Sequence, residues 1–100
     1  MREYIYVLKL KPEYHDEKSW TGEHHEIIQD HFKRLKKLCE EGVVVTAGKT
    51  DAVDENGFGI VIFQADNEEE ARIFMKKDPA VMKGMMTAEV FPYRTALLKK

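Results

Sequence analysis

The chain is 100 residues long, which fits one domain and leaves no room for two independent cores. Its formal charge is -2 with acids and bases mixed along the chain, so it lacks the basic field of a nucleic-acid binder. Cys39 is the single cysteine, which excludes an intrachain disulfide and a cysteine-based zinc site, and no apolar run reaches membrane-spanning length.

Glu3–Leu10, rich in aromatic and branched residues, predicts a first strand. The N-terminus opens on this segment rather than on a leader, so a soluble cytoplasmic protein is expected. Lys11–Thr21 carries Pro12 and polar residues and reads as a loop. Ser19 or Thr21 supplies the cap of a long amphipathic helix that runs to about Glu41, where Gly42 ends it. Cys39, within its leucine-rich part, reads as a small packing residue rather than a reactive thiol.

Val43–Lys49 and Phe58–Ala65 predict a second and a third strand, joined as a hairpin by the polar turn Asp51–Gly57. Asn67 followed by Glu70 resembles a capping box and opens a short helix through Lys77, which Pro79 closes. Thr87–Arg94 makes the last strand.

The order β-α-β-β-α-β is the ferredoxin-like, split-βαβ arrangement of the α+β class. It predicts a four-stranded antiparallel sheet with two helices on one face. In the first strand Tyr4, Tyr6, Leu8 and Leu10 alternate with Ile5 and Val7, and in the third Phe58, Ile60 and Ile62 alternate with Val61 and Phe63. Both faces are apolar, yet two helices cover only one, so a homodimer packed sheet against sheet is expected.

On the long helix His24, Ile28, His31, Leu35, Leu38 and Gly42 recur at the spacing of one face. An aliphatic side chain is the ordinary occupant of position 31. A polar ring there needs a hydrogen-bond partner or contact with water, because an unpaired buried polar group costs roughly 1–3 kcal/mol. His31 is therefore either a satisfied core histidine or a functional one.

The run from His31 to Gly42, followed by Val43–Gly48, resembles the helix and strand of YCII-related (YciI-like) proteins. The shared pattern is a histidine and a large apolar residue, a leucine-bearing helix, a glycine, and a strand ending in Ala-Gly. Gly57–Phe63 is similar to that family's third strand. Glu69–Arg72 with Asp78-Pro79 is similar to its second helix and Asp-Pro signature, and Phe91–Tyr93 to its closing strand. The resemblance covers nearly the whole chain. It implies a single domain over residues 1–100, a dimeric α+β barrel, and a His-Asp pair as active site, here His31 and Asp78. Lys49 stands where the family often has proline after Ala-Gly, which alters the pocket rim at Gly48. An aromatic dehydrochlorinase is among the family's better-defined members.

A carboxylate accepting from one imidazole nitrogen fixes the tautomer and raises the basicity of the other, making a general base near neutral pH. Such a base removes a proton next to a carbonyl or from a phenol, as isomerisation or halide elimination requires, and needs no metal or organic cofactor. A lyase or isomerase acting on a small cyclic or aromatic molecule is the leading expectation. A non-catalytic ligand-binding or interaction module and a cofactor-independent monooxygenase are the rivals. Tyr4 and Tyr6, on one face of the first strand, are expected to line a cavity between sheet and partner. His24 is expected at the mouth of the pocket. Arg34 either reaches the pocket edge to bind an anion or pairs in solvent with an acid such as Asp30. Met75, Met82, Met85 and Met86 are expected around Asp78. His24 and His31 are two helical turns apart, unlike metal co-ligands, which sit three or four residues apart; no metal site is expected.

Overall fold

The computed structural model describes residues 1–99 and carries the expected α+β, ferredoxin-like architecture. Strand β1 is Arg2–Leu10, helix α1 Gly22–Glu40, β2 Val44–Lys49 and β3 Gly59–Ala65. Helix α2 is Glu68–Lys76, the short α3 is Pro79–Met82, and β4 is Met86–Tyr93. The sheet order is β2-β3-β1-β4, antiparallel throughout. No helix among the described residues is long and apolar enough to cross a membrane.

Local chemistry sets the element ends. The connection after β1 contains two single 3-10 turns, Pro12–Tyr14 and Glu17–Ser19. Thr21 caps α1 by accepting from the His24 amide, while the His24 ring accepts from the Thr21 amide. Histidine thus stands in the place glutamate usually takes in a capping box. Beyond α1 the chain reverses at Gly42, whose φ of +83° disfavours any side chain. Asn67 caps α2 by accepting from the Glu70 amide. Pro79 does more than close α2. Asp78 and Pro79 are the cap and first residue of α3, so the dipeptide ends one helix and starts another.

Strand alternation divides the sheet into two faces. Tyr4, Tyr6 and Leu8 of β1 and Val61, Phe63 and Ala65 of β3 are buried beneath the helix layer, with Leu35, Ala71 and Met75 packed on them. The opposite face carries Ile5 and Val7 opposite Ile62 and Ile60, with Phe91 and Tyr93 beside them on β4. A bulge at Val44/Thr46 shifts the register of β2, the edge strand of this side. Among the described residues that second face is covered only in part: Ile62 is 7% exposed and the Glu3 carboxylate accepts from Thr95, while Phe91 stays 45% exposed. The face holds two shallow hollows of about 250 and 290 Å³, one along Gly48 and Ile60, the other along Val7 and Phe91.

Candidate active site

The helical stripe on α1 brings Ile27 and Leu35 into the core, and His31 sits between them on the same side, with 15% of its side chain exposed. Asp78 reaches it from the turn between α2 and α3. The residue before a proline takes an extended backbone, and here Asp78 has φ -62° and ψ 125°. That geometry aims the carboxylate inward, where it is fully buried.

Buried carboxylates need donors, and this one has three. Oδ1 lies 2.6 Å from His31 Nδ1 and accepts the Ala80 amide at 3.0 Å. Oδ2 accepts the Tyr6 hydroxyl at 2.7 Å. Burial alone would push the Asp78 carboxyl up. The hydrogen bond and charge of His31, with the Tyr6 and Ala80 donors, outweigh it and hold the carboxyl below its usual 3.8. An ionised carboxylate only accepts, so the proton between the two groups belongs to Nδ1, and Nε2 is left as the basic nitrogen. For Tyr6, burial and then the Asp78 charge push the phenol well above its ordinary value of 10.0, so it stays neutral and donating.

Arg34, one turn beyond His31, also turns inward. Its Nη2 donates to the Phe74 carbonyl at 3.0 Å, and the guanidinium lies 4.5 Å from the centre of the Phe74 ring. Phe74 in turn stacks on Phe63 at 4.3 Å. Arg34 Nη1 is buried and has no hydrogen-bond partner among the described residues. The solvated pair with Asp30 that helical spacing allows is therefore not formed.

The structure brings His31 and Asp78 into direct contact, with Tyr6 bonded to the same carboxylate, and places Tyr4, His24 and Gly48 elsewhere. Tyr4 and Tyr6 face the helix layer, not the open side of the sheet. The expectation that they line a chamber against a partner is corrected, because alternation puts Ile5 and Val7 on that side instead. Tyr4 packs 6.1 Å from Phe63, while the Tyr6 hydroxyl is engaged by Asp78. His24 is tied to the start of α1 by its capping bond and by the Tyr14 ring 4.9 Å away, so it does not flank His31. Gly48 lies along the hollow on the opposite face of the sheet, away from the pair.

Met75 and Met85 are buried near Asp78, but Met82 is 62% exposed. Cys39 is exposed rather than packed. His15 is bonded through Nε2 to the Leu10 carbonyl, and the described residues hold no group of three or more His, Cys, Asp or Glu side chains placed for a metal. Alternation shows only that Tyr6 shares a strand face with Tyr4 and Leu8; that this face is the covered one, and that its phenol meets Asp78, depends on packing.

The YCII-related domain model matches residues 6–94. The chain belongs to the YCII-related family. No curated protein matches it. Among solved structures it is similar to the 5-chloro-2-hydroxyhydroquinone dehydrochlorinase of Burkholderia phenoliruptrix in complex with 2,5-dihydroxybenzoquinone. The TM-score is 0.60 at 17% identity, covering 92% of this chain and 93% of that one, a likeness of fold.

Proposed function

We propose that this YCII-related protein is a small cytoplasmic enzyme in which His31 and Asp78 carry out cofactor-independent acid-base chemistry on a small cyclic or aromatic molecule. The observation that carries this reading is the 2.6 Å contact between a buried, three-donor carboxylate and the Nδ1 edge of a partly exposed imidazole. Asp78 orients the ring and stabilises its protonated form, and Nε2 takes the proton. The electron pair released from the O–H or C–H bond enters an enolate. That enolate is either reprotonated on another carbon, which is isomerisation, or expels a neighbouring halide, which is elimination. Arg34 is the nearest fixed positive charge on the same helical face, and it suits a substrate that develops an anionic oxygen.

The working unit in this reading is a homodimer formed through the open sheet face, with a second copy covering Ile5, Val7, Ile60 and Phe91. The pair and this interface lie on opposite sides of the sheet, so the reading places each active site within one subunit.

Halogenated hydroquinones are the first compounds to try, because the structural neighbour is a dehydrochlorinase of that class. Turnover should fall by about a hundredfold or more in His31→Asn and Asp78→Asn, the usual scale for a lost general base or its orienting partner. Unchanged turnover in both variants would remove the catalytic claim.

A further inference from the structure

We propose that Tyr6 is a positioning residue for His31 that acts through Asp78, pinning the carboxylate so that Oδ1 meets Nδ1 and drawing off negative charge the imidazole would otherwise face. The inference rests on the reading of His31 as the base and assigns Tyr6 no contact with substrate.

The geometry is a chain of three side chains from three separate elements. His31 comes from α1, Asp78 from the turn before α3, and Tyr6 from the middle of β1. The two hydrogen bonds of the chain are 2.6 and 2.7 Å long and use different carboxylate oxygens. With the Ala80 amide also on Oδ1, rotation of the carboxylate about its own bond would break all three contacts. Tyr6 itself cannot move, since its ring is fully buried and meets Phe63 edge-on at 5.5 Å. A carboxylate pinned at both oxygens has a single orientation to offer the imidazole. It also has less charge to give, because a phenol donor competes with Nδ1–H for the same anion.

Few other ionisable groups face this chain. Arg34 from α1 shares the Phe74 ring with Tyr6, at 4.5 and 6.2 Å from its centre. Tyr4 is the other buried phenol of β1. Helix α2 presents Phe74 and Met75, α3 presents Ala80 and Val81, and β3 and β4 present Val61, Phe63, Ala88 and Val90, none of which titrates. His31 therefore meets the Asp78 carboxylate at contact distance and the fixed Arg34 cation one turn away, and Tyr6 is the partner of Asp78 that a substitution can change.

The test is an NMR titration of the His31 ring in the folded protein, which needs no substrate. Tyr6→Phe keeps the ring and removes the donor, so the His31 midpoint should rise by about half to one pH unit as the carboxylate regains its full charge. Site-specific fluorotyrosine at position 6, a stronger donor of nearly the same size, should move the midpoint down. Tyr4→Phe, which removes a phenol hydroxyl from the same strand face, should leave it in place. A midpoint identical in the wild type and in folded Tyr6→Phe would overturn the proposal. Should Tyr6→Phe not fold, the fluorotyrosine protein decides it, and an unmoved or raised midpoint overturns the proposal. Absence of turnover on every compound would defeat the enzymatic reading while leaving the titration intact, so the two failures are distinguishable.

Discussion

On the helix side of the sheet, Tyr6 and Phe63 have no exposed surface and a carboxylate is buried with them. On the other side, the alternate positions of the same strands hold a comparable set of apolar residues, yet Phe91 and Tyr93 remain 45% and 39% exposed. The two faces differ less in composition than in what covers them. Where helices exclude water, a Tyr–Asp–His chain is held in fixed geometry and its hydrogen bonds are strong. On the open face one hollow is lined by Lys9, Thr87 and Glu89 as well as by Val7 and Phe91, with Glu89 directly opposite Val7, and these polar side chains stay in water. Under the proposed function, chemistry belongs to the first face and association to the second.

The sharpest way to break that contrast is Asp78→Leu, which removes the acceptor and leaves the Tyr6 hydroxyl, the His31 ring and the Ala80 amide without partners. Loss of about 3–5 kcal/mol of stability is expected in urea unfolding, the scale for removing one member of a buried charged network. A loss below about 1 kcal/mol would mean that the covered face does not depend on its polar cluster.

Next in size is Phe91→Lys on the open face. Phe91 is already half in solvent, so the subunit should fold normally, while the proposed dimer should weaken by about tenfold or more in analytical ultracentrifugation. An unchanged dimer would place the interface elsewhere.

A smaller effect separates the faces by pH. The Asp78 carboxyl is held below 3.8 in the folded protein, so its stabilising contribution is complete above about pH 4 and is lost as pH falls through the native value. Thermal midpoints of the wild type should therefore drop more steeply below pH 4 than those of Asp78→Asn. Phe91→Lys should keep the wild-type slope.

Much of this arrangement is legible in the sequence because it follows from period and punctuation. Alternation in β1 and β3, the i, i+3, i+4 stripe on α1, Gly42, and the Asn67 cap give the order of elements and a sheet with two apolar sides. The His31–Asp78 pairing came from resemblance, since 47 residues separate the two and no local pattern links them. What stayed hidden depends on which face a strand turns to its helices. Ile5 and Tyr6 are equally apolar by composition, and only packing decides that the phenol faces inward and finds the carboxylate. Arg34 was hidden for a similar reason. A guanidinium three residues from Asp30's neighbour His31 reads as a solvated cation until Phe74 is seen beneath it. The role of His24 in its own helix cap was masked because glutamate is the expected residue there.

Asp78 does two jobs with one oxygen: Oδ1 opens α3 through the Ala80 amide and meets the imidazole as well. A glutamate would keep the charge, but its extra methylene would carry the carboxylate past the turn it must cap. Exchange of one acidic residue for the other is thus expected to spare the electrostatics and still misplace the start of a helix.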